Sequence, residues 1–456
     1  MIFLAVSLRA PRHLAGSAAS TLKQAEKYMT SSPLDISDNP PVQPDPPIQR
    51  RPRSLWRNRD FVLLWSGQLI STAGTQVTSL ALPLLILAIT NSPAQAGIVA
   101  ACGSLPRFLL ALPAGALVDR WDRKRVMIVC DSVQVVALGS IPVALALNHL
   151  SMFQLYLVAL SQGVCFVFFW LARLAALPRV VPKEQLPAAV AQNEVAESTV
   201  TLLSPPLGGL IFSLGRALPF LGDAISYAVS VISLCFIRVP FQMERKTRGA
   251  ATPRQLFAEM LVGMRWLWHS PLIRFMSFVY AGFALAGGYE LGVIVLATER
   301  QATPFIIGLI FAAGGVGGLL GALIAPRLQR RFRFGQLIPV LQWGYPLANI
   351  LYVLAPNPLL MALVEAGMMA VDQVYDVVWP SYRMALIPDE LQGRVNSVYR
   401  MIARATPPLG LALTGVLLQR LGGLTTIALL GLFPLAMALL ATTSRAIRAA
   451  PDHPRA

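Results

Sequence analysis

The chain has 456 residues, 55% of them apolar and 13% charged, with a formal net charge of +16. A soluble chain carries about a quarter charged residues to coat its surfaces, so this composition excludes a soluble enzyme or a DNA-binding fold. The apolar residues fall in runs of roughly 18–26, long enough to cross the hydrocarbon of a bilayer as helices.

In chain order, residues 1–55 come first. MIFLAVSL is apolar but too short for a span, and residues 31–53, SSPLDISDNPPVQPDPPIQRRPR, are Pro-rich and polar. A disordered cytoplasmic tail is expected there, with Met29 as a second candidate start. Twelve spans follow, at about 61–89, 94–118, 126–147, 152–177, 190–214, 217–238, 272–297, 304–326, 335–355, 358–382, 396–419 and 422–444. The spacing predicts an all-α integral membrane protein of twelve transmembrane helices. A six-helix bundle over 56–238 is joined by a linker over 239–271 to a second six-helix bundle over 272–446, and 447–456 form a tail.

The basic residues set the orientation. Of 38 Lys and Arg, nine precede Phe61, four follow span two (Arg120, Arg123, Lys124, Arg125), four follow span eight (Arg327, Arg330, Arg331, Arg333) and seven run from Arg238 to Arg274. The alternate loops hold Arg216, Arg300 and Arg420. By the positive-inside rule both termini and all basic connections are cytoplasmic. The excess positive charge thus faces anionic lipid headgroups rather than nucleic acid. Cys102, Cys130, Cys165 and Cys235 lie inside spans, and His13, His149, His269 and His453 are scattered, so neither a disulfide framework nor a metal site is expected.

The two sets of six spans repeat each other. GALVDRWDRKR at 115–125 recurs as GALIAPRLQRR at 321–331, ALPRVVPKEQL at 176–186 as MALIPDEL at 384–391, and SPPLGG at 204–209 as TPPLGL at 406–411. Each string falls at the same place in its half. Parallel repeats with a ligand site near the midplane between them are an architecture of secondary transporters.

On these residues the chain resembles the major facilitator superfamily. GALVDRWDRKR is similar to its cytoplasmic gating motif. FLGDAISYAVS (with Asp223, Ser226 and Tyr227), GMRWLWHSPLIRF and IPDELQGRVNS resemble the drug/siderophore/macrolide exporter branch. The resemblance covers about Arg57 to Arg445. It implies a multi-pass protein of the inner or plasma membrane, acting on a small molecule and using protons.

Gly115, Asp119, Arg120, Arg123 and Lys124 are the gating candidates: the glycine permits close helix contact, and the carboxylate can cap a helix or pair with an arginine. Such a latch closes the cytoplasmic mouth; alternatively the segment is a basic loop that fixes topology. In the second copy Ala325 stands where Asp119 does. Pro205, Pro206, Gly208 and Gly209 resemble an antiporter motif of span five, with Ser204 in place of its first glycine; the prolines bend the helix and the glycines admit a neighbour. The alternative is a kink unrelated to transport direction.

Ionisable groups inside spans are costly and point to function. Arg107 falls near midplane in span two, and Asp131 in span three is its plausible partner. Glu194, Glu197, Asp223 and Glu299 are weaker candidates, the last two placed near the outer surface, and Glu290 is a further one. Span one has no charge, but Gln68, Thr72 and Gln76 at one-turn spacing can line a wet cavity. In span ten, Glu365, Asp372, Asp376 and Arg383 are separated by seven, four and seven residues and so lie within about 20° of one line. They are expected to face the central cavity or neighbouring helices, with at least one carboxyl exchanging protons. Alternatively they form a structural network in which Arg383 neutralises Asp376.

No G-x-x-x-x-G-K-[ST] is present, and no nucleotide, other cofactor or enzymatic constellation is expected. The sequence reading is a secondary active transporter, monomeric, exporting an amphipathic small molecule by proton-coupled alternating access. A transporter of lysophospholipid or of an imported solute is one alternative. A non-transporting receptor or assembly factor on the same scaffold is another.

Overall fold

Backbone in hydrocarbon has no water to satisfy it, so each apolar run closes its hydrogen bonds within a helix. The computed structural model describes residues 55–110, 113–241, 253–285, 287–444 and 447. The expected tails, apart from Leu55 and Ile447, and residues 242–252 of the expected linker lie outside the described residues. The helices are α1 (Arg59–Thr90), α2 (Pro93–Leu109), α3 (Pro113–Val118), α4 (Arg123–Ala146), α5 (Met152–Val180), α6 (Leu186–Leu214), α7 (Leu218–Phe236) and α8 (Pro253–His269). They continue as α9 (Pro271–Leu285), α10 (Tyr289–Glu299), α11 (Pro304–Arg331), α12 (Phe334–Leu354), α13 (Pro358–Leu386), α14 (Asp389–Ala405), α15 (Pro407–Leu430) and α16 (Leu432–Thr443). No strand occurs among the described residues.

Short polar connections start these helices by side-chain capping. Ser92, Thr303 and Asn357 each accept a backbone N–H three residues on, and each is followed by a proline at the first helical position. Asp122 caps α4 by accepting Arg125 N–H at 3.0 Å. At the other end of α1, Asn91 adopts a left-handed conformation, φ 49°, and ends the helix.

Nine segments among the described residues are long and apolar enough to cross a membrane. One of them, Asp389–Thr443, is 55 residues long and turns at Gly422, φ 76°. Three expected spans differ in detail. The second breaks into α2 and α3, where Pro113 cannot extend the preceding helix. The seventh breaks into α9 and α10 about Gly287 and Gly288. The eleventh begins at Asp389 rather than near residue 396, because Pro388 precedes an amphipathic helix, α14, that runs into Pro407. Within the expected linker, α8 is helical and packs on α14, with Gly263 against the Arg394 carbonyl.

The buried apolar residues form three clusters that position everything else. Call the end of the molecule bearing Asp119–Arg125 and Arg327–Arg333 the basic end. At the opposite end one cluster draws on both parts of the chain, joining Leu85, Ile141, Val158 and Phe212 to Val293, Ile307, Tyr352 and Ile427. At the basic end the core is divided. One cluster (Phe61, Met127, Ala172, Phe241) lies wholly before residue 242, and the other (Ile338, Val378, Trp379, Val395) wholly after residue 266.

Candidate functional site

The seam between the two parts of the chain is built by glycines of α2, α6, α11 and α15, with the SPPLGG string on one side of it. On α6, a Cβ at Gly208 would lie 3.2 Å from the Val77 carbonyl oxygen of α1, while one at Gly209 would overlap the Pro304 carbonyl of α11. The carbonyl of Pro205 in turn fills the space beside Gly308. On α15 a Cβ at Gly415 would come within 2.8 Å of Gly97 Cα in α2. Both crossings lie nearer the shared core than the divided end. The prolines Pro205 and Pro206 sit within α6, which remains helical through them.

The basic motif closes the turn from α3 to α4. Gly115 has open space where a Cβ would stand, so close helix contact is not its role in this conformation. Asp119 is largely exposed and makes a 3.6 Å ion pair with Arg123, one turn on. Arg123 also donates to the carbonyls of Ala175 and Phe241, at 3.3 and 3.4 Å. Lys124 donates to the Ile237 carbonyl at 2.7 Å. These two cations therefore tie the ends of α5 and α7 to α4, where helix carbonyls attract positive charge. Arg120 makes a hydrogen bond or an electrostatic contact as well.

Arg107 and Asp131 are not partners. Arg107 holds its guanidinium 4.3 Å from the centroid of Phe166 on α5. Asp131 is buried against α7, accepting from Ser230 Oγ at 2.6 Å. The two meet different neighbours because Arg107 stands on α2, which packs against α5, whereas Asp131 stands on α4, which packs against α7. Asp223 is buried, 1% exposed, beside Gly74 of α1, and accepts from Ser226 Oγ at 3.2 Å. Nearby Thr75 and Tyr227 share a 2.9 Å hydrogen bond. Gln68 is buried with Nε2 unpartnered, whereas Thr72 and Gln76 are half-buried. None of the three lines either cavity described below.

In α13 the expected column separates by partner. Glu365, 4% exposed, accepts from Tyr352 Oη, and Asp372 accepts from Tyr345 Oη. Tyr345 and Tyr352 are seven residues apart on α12, as Asp372 and Glu365 are on the antiparallel α13, so two turns of one helix match two turns of the other. Glu290 is exposed in the first turn of α10. Arg383 does not neutralise Asp376. Its guanidinium lies 3.8 Å from the Tyr399 ring centroid and 5.9 Å from that of Trp379, a cation–π placement supplied by α14 and by its own helix. Asp376 is exposed and makes no ion pair among the described residues.

Sequence reasoning missed the aromatic partners. Tyr345 and Tyr352 were discoverable from their matched spacing; Tyr280, Phe283 and Tyr399 come from other helices and carry no local signal. It also missed the ion pair of Arg173 on α5 with Glu197 on α6.

Two cavities accompany these residues. One of about 700 Å³ lies near the shared core, lined from both parts of the chain by Asn91, Phe212, Arg216, Thr298, Glu299 and Ile307; Glu299 there accepts the Gly423 N–H at 2.8 Å. The other, about 310 Å³, lies among α9, α12, α13 and α15, lined by Tyr280, Phe283, Tyr345, Asn349, Asp372, Tyr375 and Asp376.

A membrane-spanning helical protein in two joined parts, with buried carboxylates and no charge-free core, is the build of a membrane transporter. Residues 52–453 match the family described as transmembrane secretion effector, and the chain belongs to this family of the major facilitator superfamily. It is 29% identical over 385 residues to the multidrug efflux pump Tap of Mycolicibacterium fortuitum, covering 79% of this chain and 90% of that one. It is 24% identical over 356 residues to the enterobactin exporter EntS of Escherichia coli O1:K1 / APEC, covering 78% and 84%. The fold is similar to that of the nucleoside transporter NupG, with a TM-score of 0.69 at 13% identity over 84% of this chain and 98% of that one. The protein is a multi-pass inner-membrane transporter.

Proposed function

We propose that the protein exports an amphipathic small molecule by proton-coupled alternating access. In this reading twelve spans form two six-helix bundles, 56–238 and 272–446, with the basic end and both termini in the cytoplasm. The 55-residue segment Asp389–Thr443 counts as two crossings, since it would extend about 80 Å as one helix against ~30 Å of hydrocarbon. The observation that carries the reading is the distribution of the core: one cluster joins both bundles at the far end, and two separate clusters serve them at the basic end. A carrier closed at one end and divided at the other is in its cytoplasm-open state, ready to take cargo from inside.

The seam of Gly97 with Gly415 and Gly209 with Pro304 is then the outer closure, which must part for release. Asp119 and its basic neighbours form the inner latch of the opposite state. Glu365, buried against Tyr352, is the proton-exchanging group, because a carboxyl at this depth is far less costly neutral than charged. Asp131 with Ser230 is its counterpart in the first bundle. The relatives' names, a multidrug efflux pump and an enterobactin exporter, support outward transport of a small molecule.

The test is accumulation of a panel of fluorescent and radiolabelled drugs in efflux-deficient cells producing the chain. At least one compound is expected to accumulate less, and a protonophore should restore it to the control level. Unchanged accumulation across the panel would reject export, while efflux insensitive to the protonophore would reject proton coupling.

A further inference from the structure

We propose that the smaller cavity is the seat for the protonated amine of an organic cation, with Asp372 and Asp376 supplying charge and Tyr280, Phe283 and Tyr345 supplying walls. This rests on the efflux reading and names the head group which that reading leaves open.

The polar atoms around the cavity are acceptor-rich. Asp372 uses one carboxylate oxygen to accept the Tyr345 hydroxyl, and Asp376 has no hydrogen-bond or ion-pair partner among the described residues. Asn349 and Tyr375 line the same cavity at 5% exposure each, and Asn349 Oδ1 and Tyr375 Oη are both buried without a partner. Buried polar atoms are nearly always satisfied, by protein, water or ligand. Here the missing complement is a set of N–H donors carrying positive charge. Arg383 does not provide it: its guanidinium lies against the Tyr399 ring, with Nε and Nη1 buried and without a hydrogen-bond partner, and it makes no ion pair with either carboxylate.

The walls suit the same ligand. Phe283 and Tyr345 have centroids 4.6 Å apart and planes inclined at 52°, so their faces present negative quadrupoles at an angle to each other. Two carboxylates on one side of the cavity repel an anionic head group. Access is through the exposed Asp376 and Gly287, while Asp372 sits deeper and half-buried. At about 310 Å³ the cavity is at the small end of ligand pockets. It takes a substituted amine and an attached ring, leaving a larger body in the space between the bundles.

The experiment uses the purified full-length chain in lipid nanodiscs and two dyes with the same xanthene nucleus, cationic rhodamine 6G with its ethylamino groups and anionic fluorescein. Binding is read by fluorescence polarisation. Rhodamine 6G is expected to bind saturably and fluorescein not at all. The double variant Asp372→Asn/Asp376→Asn should weaken rhodamine 6G at least about tenfold, and Phe283→Leu about fivefold with recovery in Phe283→Tyr, as expected for charge and cation–π terms respectively. Size-exclusion profile and thermal unfolding confirm that each variant is folded; if the double variant is not, the Phe283→Leu and Phe283→Tyr pair decides alone. The proposal is overturned if wild type fails to bind rhodamine 6G or binds fluorescein as tightly. It is equally overturned if folded variants stay within twofold of wild type. Efflux of the neutral drug chloramphenicol by cells, persisting alongside such a failure, would reject the amine seat and leave the export reading standing.

Discussion

Asp119 carries a charge that its counterpart Ala325 lacks, and the two positions differ in surroundings as well as in chemistry. Asp119 is exposed at 76% of its side chain, whereas Ala325 is fully buried. The substitution Ala325→Asp would bury a carboxylate in the apolar cluster of Ile338 and Val378, a loss of about 3–5 kcal/mol. Asp119→Asn, by contrast, preserves volume at an exposed position and should leave membrane insertion and thermal stability near wild type. If Asp119 is the latch anion, transport falls at least about tenfold, one charge-assisted hydrogen bond's worth. Transport by Asp119→Asn at the wild-type rate would reduce the motif to a topology signal. The measurements are initial efflux rates beside thermal unfolding of each purified variant.

At the scale of elements, the starts of helices were legible and their internal breaks less so. Ser92-Pro93, Thr303-Pro304 and Asn357-Pro358 announce caps, because capping depends on neighbours in sequence. The interruption at Gly287-Gly288 is different: a Cβ at Gly288 would overlap Thr414 of α15, so the break answers to a helix more than a hundred residues away. The SPPLGG string was legible as a place of close packing, but not as the seam with α11. That placement yields a ranking. Gly209→Val drives a branched side chain into the Pro304 carbonyl, whereas Gly208→Val meets the Val77 backbone at a distance that needs only a small shift. Overpacking of this kind costs about 1–3 kcal/mol. The thermal midpoint of Gly209→Val should therefore fall further than that of Gly208→Val. The reverse order would mean that α6 is not pressed against α11. In the same way, the α13 column was legible from its spacing, while its division into Glu365 with Tyr352, Asp372 with Tyr345 and Arg383 with Tyr399 required the register of α12 and α14.

For the whole molecule, the proposed export cycle requires that the two bundles exchange which end is joined and that protonation of Glu365 is coupled to the exchange. An exporter driven by protons carries cargo outward without them and returns with them, so the protonated empty carrier is the one that opens to the cytoplasm. Double electron–electron resonance tests this on a chain with its native cysteines replaced. One spin-label pair is placed at the basic end, Lys183→Cys with Gly393→Cys, and one at the far end, Asn91→Cys with Thr298→Cys. All four positions are exposed. In acidic buffer the basic-end distance is expected to be long and the far-end distance short. In alkaline buffer with a transported drug the two should move in opposite directions, and Glu365→Gln, fixed in the neutral form, should keep the acidic-buffer distances throughout. Distances at both ends that do not change with pH or drug, or a Glu365→Gln chain that responds as wild type does, would rule out this proton-coupled exchange.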